Sequence, residues 1–169
     1  MSENNEFSLE GILFLITRIM LSGIFLWSAL TKTFGLGFGT EAGKQWLAGN
    51  SPTFGFLKFG TSGSFAHDFF LLLAGESGIW MVDFLFMLGL WGIGISLLLG
   101  IFRKIAGYGG ALLMILMWLG SATWAATDSH NPFFDDHLVY GAFLLLVAHA
   151  TNIGWRLNLN LSDISPLLD

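Results

Sequence analysis

Four long apolar stretches, separated by more polar segments, dominate the pattern of this chain. They span about residues 9–30, 80–99, 105–124 and 137–155. Each is close to the roughly 20 residues that an α-helix needs to cross the hydrocarbon core of a bilayer. The runs are continuous, whereas a membrane strand would alternate apolar and polar positions. The chain is therefore predicted to be an all-α integral membrane protein, a four-transmembrane-helix bundle in one membrane domain over residues 1–169.

The segment between the first two stretches, about residues 31–79, is too long to serve only as a connection. It contains a candidate short helix at about residues 41–48. A second apolar piece at 65–74 is too short to span the bilayer and suits an interfacial or re-entrant helix. We predict that this loop is partly helical and folds as a cap over the outer mouth of the bundle.

Small residues at helical spacing indicate where helices approach each other. Gly92, Ser96 and Gly100 are four residues apart on the second stretch, as are Gly107 and Ala111 on the third. Small side chains let helix backbones come close in lipid, so these positions are predicted helix contacts. The short turn after Gly100 makes the second and third helices antiparallel neighbours.

Composition supports the membrane assignment and excludes several kinds of redox centre. Hydrophobic residues make up 54% of the chain and charged residues 11%, whereas a soluble domain is roughly one quarter charged. The chain contains no cysteine, which excludes thiolate catalysis, iron–sulfur ligation and covalent haem attachment. His137 and His149 lie on one predicted helix and cannot both ligate one haem iron. The net charge of −5, with acids near the N-terminus, argues against nucleic-acid binding.

Lysine and arginine near the helix ends predict the orientation, since cytoplasmic segments carry an excess of these residues. The side that holds the two predicted termini has Arg18, Arg103, Lys104 and Arg156. The other side has Lys32, Lys44 and Lys58, spread over the long loop. We therefore predict a multi-pass protein of the cell membrane with both termini in the cytoplasm and the loop facing outward.

A polar cluster precedes the fourth stretch and reads Asn131-Pro132-Phe133-Phe134-Asp135-Asp136-His137. Acids directly before a helix often cap its free N–H groups and oppose its dipole. Two acids followed by a histidine are more polar than a cap requires, which indicates that Asp136 and His137 accept or relay protons. Tyr140 shares the helical face of His137. A metal site that combines His130 with these three residues has no recognised spacing, so no metal is predicted.

Asp83, Lys32 and Arg18 are ionisable residues in or beside the apolar stretches, where charge is costly. Asp83 either opposes the dipole at the start of the second helix or faces the interior and pairs with Lys32 or His137. Arg18 either snorkels to the inner surface or faces the interior, where it suits an anionic group or a carbonyl such as a quinone oxygen. We predict that the charged residues of the first, second and fourth helices converge at one aqueous rim beneath the loop.

Several segments also resemble one family of small membrane proteins. They are Phe25-Leu26-Trp27-Ser28 with Lys32, residues 46–53 with Gly55-Phe56-Leu57, Gly63-Ser64-Phe65-Ala66, residues 82–90 and residues 131–140. These motifs include polar and proline positions as well as apolar runs, and together they cover roughly residues 18–155. On these motifs the chain resembles the DoxX/DoxD family of four-helix membrane proteins.

The resemblance implies a function in a respiratory membrane. Family members of the DoxD type are linked to thiosulfate:quinone oxidoreductase, which oxidises thiosulfate to tetrathionate at the outer face and passes the electrons to a membrane quinone. On this hypothesis the quinone is held without a covalent bond, and Asp83, Asp136 and His137 are the catalytic residues that take protons or orient groups. The residues expected to bind substrate and quinone are Arg18, Trp27, Lys32 and Tyr140.

A second hypothesis gives the chain no catalysis of its own. Other relatives serve as small subunits of larger membrane redox assemblies, and this sequence contains no covalent electron carrier. The chain would then be a non-catalytic accessory subunit whose polar cluster binds a partner protein or fixes helix ends. Both hypotheses place it in the lipid bilayer beside partner subunits of a larger respiratory complex, and both predict neither haem nor an iron–sulfur cluster.

Overall fold

The structure is a computed structural model that describes residues 9–121, 131 and 133–150. Within these ranges every regular element is helical. The elements are α1 (Leu9–Phe34), a 3-10 turn (Trp46–Ala48), a π-helical turn (Phe56–Gly60), α2 (His67–Ala74), α3 (Trp80–Leu99), α4 (Arg103–Ser121) and α5 (Asp136–His149). The prediction of an all-α protein is confirmed.

Three of these helices, α1, α3 and α4, are long and apolar enough to cross a membrane. The fourth apolar helix, α5, has 14 residues. That length corresponds to about 21 Å, against a hydrocarbon core of roughly 30 Å. The described part of the chain therefore has three candidate membrane spans and one shorter apolar helix.

Two helix boundaries show how local sequence sets the helix ends. α3 covers residues 80–99 as predicted, and Gly100 ends it in the left-handed conformation (φ 72°), which glycine adopts without strain. α1 runs to Phe34 rather than to residue 30, where Gly35 (φ 69°) follows it. Lys32 therefore lies in the last turn of α1.

The other two boundaries also differ from the predicted stretches. α4 begins at Arg103 rather than at residue 105, and the predicted residues 122–124 lie outside the described ranges. α5 begins at Asp136 and ends at His149, after which Ala150 is extended (ψ 131°). It is thus shorter than the predicted range, of which residues 151–155 lie outside the description.

The long helices pack antiparallel in chain order around one core. α1 packs on α3, α3 on α4 and α4 on α5, with further contact between α1 and α5. In lipid this association depends on close van der Waals packing, since lipid tails are as apolar as the core itself. Core side chains that are at most 3% exposed include Leu21, Phe25, Met87, Leu97 and Leu144.

Glycines set the closest approaches between these helices. A Cβ added at Gly107 would lie 2.6 Å from the Cβ of Ala148, so α4 and α5 are in near-backbone contact there, as predicted. Between α1 and α3 the corresponding position is Gly94, where an added Cβ would lie 2.7 Å from the Leu26 side chain. The Ser22 hydroxyl donates to the Gly94 carbonyl (2.8 Å) and ties the two helices together.

The predicted contact at Gly92 is wrong. Nothing lies within 4 Å of a Cβ added there. Gly94, two residues further on and thus on the opposite side of α3, makes the contact with α1 instead. The rotation of α3 about its axis leaves Gly92 and Ser96 facing open space beside α4.

Residues 35–79, called the cap loop below, pack against the ends of α1, α3 and α4. The predicted apolar piece at 65–74 forms α2, whereas the predicted helix at 41–48 is reduced to the 3-10 turn, because Gly43 has a φ of 86°. The Ser64 hydroxyl donates to the Leu119 carbonyl (2.6 Å) and fastens the loop to the end of α4. The cap loop is thus bound to the helices rather than extended away from them.

Candidate functional site

The last turn of α1, the first turn of α3, the end of α4 and the start of α5 lie at the same end of the molecule, because these helices are antiparallel. We call this the loop end, since the cap loop covers it. Lys32, Asp83 and His137 all lie there, as the sequence predicted. They do not form one group, however, and each has different neighbours.

Asp83 fastens the cap loop to α3. Its Oδ1 accepts hydrogen bonds from the Ser51 hydroxyl (2.7 Å), the Thr53 hydroxyl (2.6 Å) and the Thr53 backbone N–H (3.3 Å). Asp83 is 5% exposed, and these donors stabilise the charge of a carboxylate that is largely removed from water. Among the described residues, neither Lys32 nor His137 forms an ion pair with it, so the pairing that the sequence left open is not observed.

Asp135 joins the end of α4 to the start of α5. Its Oδ1 accepts from the Leu138 N–H (3.2 Å), which is the capping bond expected for an acid before a helix. Its Oδ2 lies 2.8 Å from Nδ1 of His137 and accepts from the Ser121 hydroxyl (3.4 Å). Asp136 is largely exposed and lies 3.5 Å from the same histidine nitrogen. Capping therefore accounts for Asp135, while Asp136 is exposed to water and His137 only partly so.

These three residues also have the geometry of a small metal site. One ligand atom from each of Asp135, Asp136 and His137 lies within 4.8 Å of the others. His130, the fourth residue considered from the sequence, lies outside the described ranges. Since Oδ2 of Asp135 already bonds to His137 and Ser121, hydrogen bonding explains the cluster without an ion.

A cavity of about 900 Å³ lies between α3 and α4 and ends against the cap loop. Its α3 wall extends from Val82 to Ser96, a rise of about 21 Å along an α-helix. The cap loop contributes Pro52, Thr53, Phe56, Leu57, Phe70 and Leu73. Nearly all of this lining is apolar, and Lys32 is its one charged residue within the described part of the chain.

Small residues create the space that this cavity occupies. Gly89, Gly92, Ser96 and Gly109 line it, and nothing lies within 4 Å of a Cβ added at any of the three glycines. Larger side chains at these positions would fill the gap between the two helices. The cavity is therefore a consequence of small residues, two of which, Gly92 and Ser96, the sequence had indicated as helix contacts.

The Lys32 ammonium lies above the ring of Phe86, 6.0 Å from its centroid, and both residues line the cavity. Within the described ranges no carboxylate forms an ion pair with it. A cation in an apolar cavity attracts carbonyl oxygens and anions. Lys32 thus makes the loop end of the cavity positively charged, whereas the rest of the lining is nearly all apolar.

The other residues assigned to substrate and quinone lie away from this cavity. Arg18 is fully buried, so it faces the interior and does not snorkel to the surface. Trp27 is half-exposed and contacts Phe38, with ring centroids 5.7 Å apart. Tyr140 packs against the apolar core.

Sequence reasoning missed the hydroxyl partners of the acids. Ser51, Thr53 and Ser121 bind Asp83 or Asp135, but nothing in their local sequence indicates which acid they meet. It also missed a contact at the opposite end, where the Tyr108 hydroxyl lies 2.6 Å from Nε2 of His149.

One exposed ion pair in the cap loop is separate from the site. Lys44 lies 2.8 Å from Glu41, and its hydrogen bond and positive charge lower the pKa of the Glu41 carboxyl. Both side chains are open to water, where such pairs are screened and contribute little to stability.

Comparison with known proteins adds no relative to this picture. No family model, no curated protein and no solved structure matches the chain.

Proposed function

We propose that this chain is a membrane subunit of a respiratory redox system that holds a quinone in the cavity between α3 and α4. The observation that carries the proposal is the apolar cavity with the Lys32 ammonium at its loop end. An isoprenoid quinone has a complementary shape, with two carbonyl oxygens on a compact ring and a long apolar tail. Ligand sites of this kind are mostly apolar and contain few polar groups, which fix the orientation of the ligand.

Lys32 would bind the ring of the quinone, and the glycine-lined part of the cavity would hold the tail. An ammonium group near a quinone carbonyl favours electron uptake, because it stabilises the negative charge that develops on the oxygen. At the same end of the molecule Asp136 is exposed and His137 is partly exposed, and they are the residues proposed to supply protons from the aqueous side.

Thiosulfate is the electron donor that the resemblance to the DoxX/DoxD family implies. Two thiosulfate ions would lose one electron each and join as tetrathionate, and the quinone would take up these two electrons with two protons. The proposal includes α5 as a fourth span of a four-helix bundle in the plasma membrane, with the cap loop outward and both termini cytoplasmic. It also includes partner subunits, since the chain has no cysteine to hold an iron–sulfur carrier.

A substitution that fills the cavity tests this proposal. Gly92→Leu adds a side chain where a Cβ meets nothing within 4 Å, so the helix tolerates it while the cavity loses volume. We expect the affinity for a short-chain quinone analogue, measured by quenching of tryptophan fluorescence in detergent, to fall about tenfold or more. Gly23→Leu is the matched control, because Gly23 is an exposed glycine of α1 whose added Cβ also meets nothing.

Equal affinities in the Gly92→Leu and Gly23→Leu variants would contradict the proposed site. Addition of thiosulfate to the wild-type chain with the analogue then separates the two roles. Quinone reduction by the chain alone supports catalysis, whereas binding without reduction, together with co-purification of a larger redox complex, supports an accessory subunit.

The accessory alternative has an observation of its own. Asp83 and Asp135 are both engaged in bonds that join structural elements, to the cap loop and to α4 respectively. Acids with such bonds hold helix ends in place, and this structural role does not involve a substrate. On this alternative the same cavity would hold a lipid-like molecule for structural reasons, and thiosulfate would cause no turnover.

A further inference from the structure

We infer that Asp83 is a positioning residue that holds the loop-end wall of the cavity in place and thereby sets the affinity for the ligand, without touching it. The inference rests on the proposed quinone site. It gives Asp83 a different role from the proton-accepting one predicted from the sequence.

Asp83 itself does not line the cavity, but the segment that it binds does. Ser51 and Thr53 donate to its Oδ1, and Pro52, Thr53, Phe56 and Leu57 form part of the lining. Thr53 links the two functions, because its carbonyl accepts from the Leu57 N–H (3.0 Å) at the start of the π-helical turn. The three hydrogen bonds of Asp83 therefore fix the start of the segment that closes the cavity.

Gly78 provides a second, independent indication that the segment around Ser51 and Thr53 is held in a single position. Its φ is +104°, and a Cβ added there would lie 2.6 Å from the Cβ of Ser51. The end of the cap loop that leads into α3 is thus in direct contact with Ser51, near the start of the segment, beside Asp83. Ser51 also accepts a hydrogen bond from the Phe54 N–H (3.0 Å), which orders the next residue of the segment.

The two roles of Asp83 predict opposite results for Asp83→Asn. An asparagine keeps an Oδ1 that accepts from both hydroxyls, so a positioning role survives the substitution. A proton-transfer role is lost, because an amide does not take up a proton at neutral pH. Asp83→Leu removes the hydrogen-bond acceptor, so it releases the segment whether Asp83 has a positioning role or a proton-transfer role.

The absence of cysteine from the chain allows the segment to be observed directly. Gly55→Cys places one thiol in the segment, where a Cβ meets nothing within 4 Å and the residue is exposed. A nitroxide attached there reports local mobility by electron paramagnetic resonance. We expect low mobility in the background with Asp83 intact and with Asp83→Asn, and a mobile label with Asp83→Leu.

Affinity for the quinone analogue is measured in parallel. Asp83→Leu is expected to weaken binding about tenfold or more, and Asp83→Asn by no more than about threefold. Ser51→Ala combined with Thr53→Val removes the two hydroxyl donors instead of the acceptor. This double variant replaces Asp83→Leu if the latter does not fold. Glu76→Leu is the control, because Glu76 is an exposed acid of the same loop.

Each result decides one of the two claims. A rigid label in the Asp83→Leu variant, or an affinity loss with Asp83→Asn equal to that with Asp83→Leu, overturns the positioning role. A mobile label with unchanged affinity, when Gly92→Leu does weaken binding, also overturns the positioning role and leaves the quinone site intact. If the wild type binds no quinone analogue, the proposed function fails, and the link between Asp83 and ligand affinity fails with it.

Discussion

At the scale of single residues, Lys32 is the side chain that gives the cavity its polarity. The sequence placed it in the loop that follows the first helix, whereas it lies in the last turn of α1, beside Phe86 of α3. This position brings the ammonium group above the ring of Phe86, which lines the cavity together with Lys32.

Replacement of Lys32 by methionine tests this role. Methionine keeps an unbranched side chain of similar length but has no charge, so the cavity retains most of its shape. A hydrogen bond to a charged group contributes about 1.5–3 kcal/mol, which corresponds to a loss of affinity for the quinone analogue of roughly 10–100-fold. Lys44→Met, at an exposed position in the cap loop, should leave affinity unchanged. A similar loss in both variants would indicate a general effect of net charge.

The identity of the charged residues could be predicted from sequence, but their partners could not. An acid at the start of an apolar stretch is conspicuous, since charge in such a setting is costly. The donors to Asp83 lie about 30 residues away in a loop, and hydroxyl residues are common in loops. The capping role of Asp135 was accessible because its partner, the Leu138 N–H, is local.

At the scale of secondary structure, glycines have two different functions in α4. At Gly107 the neighbouring helix is in direct contact, whereas Gly109 faces the cavity, with nothing within 4 Å of an added Cβ. Periodicity shows that such residues share a helix but does not show how the helix is rotated. For this reason Gly92 was expected at a contact that Gly94 makes.

Alanine at the two positions should change stability in opposite directions. Gly107→Ala forces a Cβ against Ala148, and overpacking of this kind costs about 1–3 kcal/mol. Gly109→Ala meets no neighbour and removes backbone entropy from the unfolded chain, which stabilises a helix by roughly 0.5–1 kcal/mol. Thermal unfolding in detergent should show a lower midpoint for the first variant and an equal or higher one for the second. Equal destabilisation by both would show that the α4–α5 contact is looser than described.

At the scale of the whole molecule, the lengths of the apolar runs sufficed to predict the class of fold. Helix length depends on local sequence, and α3 matches its predicted range. The end of α5 coincides instead with a tertiary contact, in which the Arg103 guanidinium at the start of α4 donates to the Ala150 carbonyl (2.8 Å). Similarly, the cap loop is placed by side chains such as Ser64, which reaches Leu119 of α4.

The orientation predicted from lysine and arginine is testable with single cysteines, since the chain has none. Ser62→Cys lies at an exposed position of the cap loop, and Lys104→Cys lies at the start of α4. A maleimide that does not cross membranes should label the first variant in intact cells and the second only after permeabilisation. Labelling with the opposite pattern would place the cap loop in the cytoplasm and reverse the proposed topology.

The cavity also determines how a ligand would reach the protein. Several side chains that line it, including Leu85, Leu88 and Leu112, are at the same time exposed on the outer surface of the helices. Those surfaces belong to candidate membrane spans, so in a bilayer the opening would face sideways, toward the acyl chains. A hydrophobic molecule would then enter by lateral diffusion within the bilayer, and its rate of exchange would depend on the fluidity of the surrounding lipid rather than on its concentration in water.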